Sequence, residues 1–238
     1  MIHTAHTGTA RARDVQIRSG AAMLHGDLSI PTGAPGAVLF AHGSGSSRHS
    51  PRNQFVARTI REAGVGTLLF DLLTAEEEAV DVRTGHLRFD IGLLAARLID
   101  ANYWLKGELD YLRVGYFGSS TGGGAALVAA AELGEIVSAV VSRGGRPDLA
   151  GDALPQVKSP TLLIVGGLDY PVIEMNEDTL EQMRCAKQLK IVPAATHLFD
   201  EPGTLEQVAY LAAELFKRHL VSAEALPQKS GRGGVGRN

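Results

Sequence analysis

One stretch constrains this chain more than any other: Val114-Gly115-Tyr116-Phe117-Gly118-Ser119-Ser120-Thr121-Gly122-Gly123-Gly124-Ala125-Ala126-Leu127. An apolar, strand-like run enters a tight glycine-flanked turn, and the turn opens directly into a helix of small residues. Gly118-x-Ser120-x-Gly122 has the G-x-S-x-G spacing of a nucleophile elbow. The spacing has a steric reason. A serine on a strained strand-to-helix turn directs its hydroxyl away from the backbone, and neighbours without side chains let the two arms pack closely. A helix that starts there also aims free N–H groups and the positive end of its dipole at developing negative charge.

Around this stretch, short apolar runs alternate with segments of helical period. Val15–Arg18 and Met23–Ile30 read as antiparallel edge strands joined through Ser19-Gly20, followed by a turn at Pro31–Gly36. Ala37–Ala41 is a continuous apolar run, as expected of a strand buried on both faces. Gly66–Leu73, Ile136–Ser142, Thr161–Val165 and the region of Leu189–Val192 read as further strands. Helices are expected over Gln54–Ala63, from Ile91 to about Leu105, after the elbow, near Asn176–Gln182, and from Leu205 to about His219. Thr74–Arg88 reads as a long charged connection whose Glu76-Glu77-Glu78 run is a solvated face or flanks an entrance. The alternation implies an α/β fold: a doubly wound, mostly parallel sheet with helices on both faces, antiparallel N-terminal edge strands and no large cap domain. Residues 1–14 are expected to be a loose lead-in, 15–220 the domain, and 221–238 a flexible Gly/Arg-rich tail.

Composition narrows the partners. A formal net charge of −3 supplies no electrostatic case for nucleic acid or an anionic membrane surface. No apolar run is long enough to cross a bilayer, and the N-terminus lacks a signal-peptide core. The single cysteine, Cys185, excludes an internal disulfide and fits a reducing, cytoplasmic setting. No Cys/His cluster or H-E-x-x-H is present, so no metal and no cofactor is expected. Gly122-Gly123-Gly124 lacks the Lys-Ser/Thr of a phosphate-binding loop.

A serine hydroxyl needs a base to attack at neutral pH, and the base needs an orienting carboxylate. Asp169 follows the Thr161–Val165 strand across Gly166-Gly167, and His197 follows the last strand in Ala195-Thr196-His197-Leu198-Phe199. In an open parallel sheet the carboxyl ends of the strands share one edge, so these loops converge with Ser120. Taken singly, Asp169 also fits a turn former before Tyr170-Pro171, and His197 is one of eight histidines. Together they stand in the order Ser120, Asp169, His197, that of α/β-hydrolases. The oxyanion-holding N–H groups are then expected at Thr121 and, in the loop after Ala41, at Ser44 with Gly43 as rival. His42 is expected to shape that loop or to border the substrate. Arg48, Arg52, Arg143 and Arg146 leave strand ends near the same crevice. They are expected either to grip an anionic group of a substrate or to pair with Asp148, Asp152 or the Glu76–Glu78 run.

The chain resembles the α/β-hydrolase superfamily, and within it the dienelactone-hydrolase-like branch, over about Val15–Leu220. The matching pieces are Phe40-Ala41-His42-Gly43-Ser44-Gly45, Tyr116–Gly122, Leu163–Asp169 and Ala195–Phe199. Dienelactone hydrolases proper carry cysteine where this sequence has Ser120. The resemblance therefore implies a serine esterase acting on a small-molecule ester, with thioester, lactone or amide cleavage open to the same groups. A non-catalytic binding module on the same fold is the alternative of another class. Ser47–Asn53 and Ser142–Pro147 resemble segments of hydrolases sometimes joined to phosphoribosyltransferase domains.

Overall fold

β3 (Gly36–Ala41) is buried along its whole length, and its side chains divide by parity. Ala37, Leu39 and Ala41 enter one hydrophobic core, whereas Val38 and Phe40 enter a second on the opposite face. In the computed structural model, which describes residues 12–220, this strand lies in the middle of an eight-stranded sheet of order β1-β2-β4-β3-β5-β6-β7-β8. β1 (Arg13–Ser19) and β2 (Ala22–Ser29) form an antiparallel hairpin, and β2 pairs antiparallel with β4 (Gly66–Phe70). From β4 through β3, β5 (Arg113–Ser119), β6 (Val137–Arg143), β7 (Thr161–Gly166) and β8 (Lys187–Val192) the pairing is parallel. β1 thus begins at Arg13, slightly before the expected Val15. Residues 1–11 of the expected lead-in and the whole expected tail, 221–238, lie outside the described residues.

The helices cover both faces, as a parallel sheet requires. α3 (Ile91–Glu108) and α4 (Thr121–Leu133) bring Leu94, Leu98, Leu105, Ala126 and Ala130 onto the first core. α1 (Pro51–Glu62) and α6 (Thr204–Leu220) bring Val56, Ile60, Val208, Ala212 and Phe216 onto the second. No large cap interrupts this arrangement among the described residues, and no helix there is long and apolar enough to cross a membrane.

Three connections differ from the sequence reading. Thr74–Arg88 is not an open connection but α2 (Ala75–Thr84) and a 3-10 turn at Leu87–Phe89. Thr74 caps the helix: its hydroxyl accepts from the Glu77 N–H, and the Glu77 carboxylate accepts from the Thr74 N–H at 2.8 Å. Glu77 is accordingly not a solvated charge. It pairs with the buried Arg97 of α3 at 2.5 Å, and Arg97 also donates to the Leu72 carbonyl. Second, Pro147–Gln156 winds into a 3-10 run broken at Gly151. Third, α5 (Tyr170–Gln182) begins immediately after Asp169 rather than near Asn176, because Pro171 supplies the fixed φ that suits a first turn.

Candidate active site

Ser120 links β5 to α4 with φ 50° and ψ −124°, a conformation that L-residues avoid. The glycines around it answer to close backbone approach. A methyl at Gly118 would overlap the Gly122 carbonyl, and one at Gly122 would overlap the Ala41 carbonyl. The sharp turn packs only with hydrogen at both positions. Ala194 (φ 59°) and Phe199 (φ 58°) are the other non-glycine residues with positive φ among those described, and both lie on the loop that carries His197. Among the described residues, positive φ at non-glycine positions is confined to the two loops bearing Ser120 and His197.

The Asp169 carboxylate meets the His197 ring: Nδ1–H donates to Oδ2 at 2.6 Å. Asp169 stands at the N-cap of α5, yet its side chain makes no capping bond, so its carboxylate is left to the imidazole. Gly166, at the end of β7, lets the two loops approach; a methyl there would come within 2.5 Å of the Ala195 and Thr196 carbonyls. Ser120 and His197 both border one short segment at the end of β6. The Ser120 N–H donates to the Arg143 carbonyl at 3.3 Å. Gly144 (φ 50°) neighbours His197, where a methyl would lie 3.2 Å from the His197 carbonyl oxygen and 3.5 Å from Cε1.

The loop after β3 closes the other side. A methyl at Gly43 would lie 3.0 Å from the Ser120 Cβ, and the Ser44 hydroxyl sits 3.0 Å from that of Thr121. The N–H groups of Ser44 and Thr121 have no acceptor among the loop and turn hydrogen bonds of the described residues. His42 braces this loop. Its Nδ1–H donates to the Gly43 carbonyl at 3.0 Å, and its Nε2 accepts from the Leu72 N–H at 2.9 Å. Both ring nitrogens are therefore spent on backbone, so the ring braces this loop against the end of β4. Burial holds its pKa below the ordinary histidine value.

The four arginines separate clearly. Arg48 pairs with Asp71 at 2.7 Å and with Asp27 at 3.5 Å. Arg52, in the first turn of α1, pairs with Asp200, and Arg146 pairs with Asp148. Of the expected partners only Asp148 is used; the others come from β2, the end of β4 and the His197 loop. Arg143 is not a loop residue but the last residue of β6, buried and without a carboxylate partner among the described residues.

A cleft of about 780 Å³ opens beside the β3–α1 loop, lined by His42, Arg48, His49, Asp71, Thr74 and Glu78 among others. Ser120, Asp169 and His197 do not line it. Side-chain geometry rather than cavity size therefore locates the site. Among the described residues no group of three or more His, Cys, Asp or Glu is arranged to hold a metal ion.

A mostly parallel sheet that delivers a strained serine, an acid and a histidine from separate strand ends defines an α/β-hydrolase. The chain belongs to the dienelactone hydrolase family, whose sequence profile matches residues 52–222. Among solved structures, a dienelactone hydrolase from Anabaena variabilis is 62% identical, with a TM-score of 0.88 over 90% of this chain and all of that one. XC6422 from Xanthomonas campestris, described as an α/β serine hydrolase without lid, shares the fold with a TM-score of 0.72. It is 20% identical over 89% of this chain and 96% of that one. A Mycobacterium tuberculosis protein described as "Putative phosphoribosyl transferase" is 57% identical over 212 residues, covering 88% of this chain and 47% of its own. The chain thus spans about half the length of the curated relatives it matches.

Proposed function

We propose that the chain is a serine hydrolase that cleaves carboxylic esters through an acyl-enzyme. One observation carries this reading: Ser120 stands on a strained strand-to-helix turn while the Asp169–His197 pair stands at adjoining strand ends. His197 Nε2 takes the Ser120 proton as Oγ attacks the ester carbonyl. Asp169 holds the Nδ1–H tautomer and stabilises the imidazolium that forms. The Thr121 and Ser44 N–H groups receive the oxyanion. His197 then gives its proton to the leaving alkoxide, and water deacylates the serine by the same route.

The route draws on side chains, backbone N–H groups and water. Ring opening of a lactone is the same reaction with the alcohol tethered, and the 62% identity to a protein described as a dienelactone hydrolase supports including lactones. The phosphoribosyl activity in the name of the M. tuberculosis relative is not carried over, since the match covers 47% of that protein. The 20%-identical XC6422 structure supports the fold alone. The test is hydrolysis of p-nitrophenyl esters of graded chain length, with thioester and lactone panels beside them. Turnover of oxygen esters or lactones ahead of thioesters is expected, and no turnover of any panel would reject the reading.

A further inference from the structure

The loop between β3 and α1 serves two spaces. Its Ser44 hydroxyl meets Thr121 beside the elbow, while Gly45, Ser46 and Arg48 border the open cleft. At about 780 Å³ that cleft falls within the size range of small-molecule sites, roughly 300–1,000 Å³. A narrower recess is bordered by Ser44, Thr121, Glu78 and Arg88 among others. His42, Gly45, Leu73 and Glu78 border both, so the recess and the cleft abut. The cleft is therefore continuous with the loop that carries the Ser44 N–H.

Every arginine bordering the two spaces already has a carboxylate partner: Arg48 has Asp71, Arg52 has Asp200 and Arg88 has Asp81. Glu78 does not follow this pattern. It is half-buried and forms no ion pair among the described residues, whereas Glu77 beside it pairs with Arg97. Hydroxyls and imidazoles make up much of the remaining polar lining. Ser47 and Ser50 accept from the His49 and Asn53 N–H groups at 3.2 and 3.4 Å, which leaves each O–H to donate elsewhere. His25 and His49 add imidazoles, which can donate and accept.

We propose that this cleft receives a neutral, polyhydroxylated acyl group, as in a sugar lactone or the ester of a sugar acid, with Glu78 accepting a pair of its hydroxyls. The two oxygens of a carboxylate suit hydroxyls on adjacent carbons, and bonds to an ionised acceptor are the strong ones. The leaving oxygen has to face His197 to be protonated, and no residue of the His197 loop borders either space. The group that enters the cleft is therefore on the acyl side. In a lactone the Ser120 Oγ–acyl bond forms as the ring C–O bond breaks, the ring oxygen takes the proton from His197, and water then releases the hydroxy acid. The proposal rests on the reading of Ser120 as the nucleophile of an ester-cleaving site. A merely solvated Glu78 would not distinguish hydroxylated from plain substrates.

The experiment compares D-galactono-γ-lactone with γ-butyrolactone, the same ring without hydroxyls, by acid release on the wild type, Glu78→Gln and Glu78→Leu. Hydrolysis of p-nitrophenyl butyrate monitors the nucleophile in each protein. A second arm follows the melting temperature of the Ser120→Ala protein, with and without Glu78→Leu, in about 50 mM D-galactono-γ-lactone. The wild type should prefer the hydroxylated lactone in kcat/KM, and loss of the charged acceptor in Glu78→Leu should raise its KM by about tenfold or more. The two plain substrates should move by less than about twofold, the size of an indirect effect. Glu78→Gln, which keeps one acceptor oxygen, should fall between, and it carries the test if the leucine variant does not fold. The lactone should raise the melting temperature of Ser120→Ala by about 2 °C or more, and the Glu78 substitution should remove the rise. A wild type that cleaves p-nitrophenyl butyrate without preferring the hydroxylated lactone, or equal KM effects on both lactones, would overturn the proposal. If the wild type cleaves none of the three substrates, the hydrolase reading fails by itself. A Glu78-dependent rise in melting temperature would then keep the cleft as a polyol site, and its absence would overturn that too.

Discussion

The 2.6 Å contact between His197 Nδ1 and Asp169 Oδ2 joins two loops that are 28 residues apart in sequence and leave neighbouring parallel strands. The contact fixes which imidazole nitrogen carries the proton, and so leaves Nε2 as the basic atom. Asp169→Asn keeps the size and the N-cap position but presents an amide that stabilises the other tautomer. It should lower kcat by about 10³–10⁴, with an unchanged circular dichroism spectrum. Near-normal turnover in this variant would place the orienting acid elsewhere.

Strain at Ser120 makes a second prediction, on stability. A non-glycine residue in such a region costs about 1–3 kcal/mol, part of which glycine recovers before its own chain-entropy penalty. Ser120→Gly should therefore raise the stability by about 1 kcal/mol, or about 2–4 °C in melting temperature for a domain of this size. Ser120→Ala, which keeps the Cβ, should stay within about 0.5 kcal/mol of the wild type. Thermal unfolding of the three proteins side by side checks the order, and a less stable glycine variant would contradict it.

The buried imidazole of His42 makes stability depend on pH in a stated direction. Burial, the largest influence, lowers its pKa against smaller raising effects of the Gly43 carbonyl, Asp71 and Glu78. Above the unfolded value of about 6.5 both states are neutral and His42 contributes no pH dependence. Below it the unfolded chain takes up a proton that the folded chain resists, so stability falls as pH falls. His42→Gln keeps an acceptor for the Leu72 N–H and cannot titrate. Between pH 7 and 5 the melting temperature of the wild type should drop more steeply than that of His42→Gln, and parallel curves would contradict the account.

Glu77 and Arg97 give a prediction for the segment between β4 and α3. Arg97 is 3% exposed and directs its Nη1 and Nη2 groups to Glu77 and the Leu72 carbonyl. Glu77→Ala leaves that buried guanidinium without its counter-ion and removes half of the Thr74 capping box. A loss of about 3 kcal/mol is expected, measured by urea unfolding, whereas Glu76→Ala on the exposed side of the same turn should change little.

Much of this architecture is legible in the chain itself, for a physical reason. Runs such as Ala37–Ala41 and Thr161–Val165 are apolar on both parities because a central parallel strand is buried on both faces. The Gly118-x-Ser120-x-Gly122 spacing records backbone collisions that only hydrogen avoids. What escaped depends on partners far apart in sequence. Arg52 finds Asp200 across 148 residues, and Arg48 finds Asp71, just after β4, and Asp27 on β2. Arg143, inside Arg143-Gly144-Gly145-Arg146, reads as a solvated loop, yet the strand continues through it and buries the side chain. α2 hides behind a weak apolar stripe, although Thr74-x-x-Glu77 and Gly85 mark both of its ends.

The central claim, that Ser120 is an activated nucleophile, is tested most directly by a fluorophosphonate probe followed by intact-protein and peptide mass spectrometry. A single covalent adduct on the peptide containing Ser120, absent from the Ser120→Ala protein, is the predicted result. A folded wild-type protein that takes no label, or labelling that persists in Ser120→Ala, would contradict it.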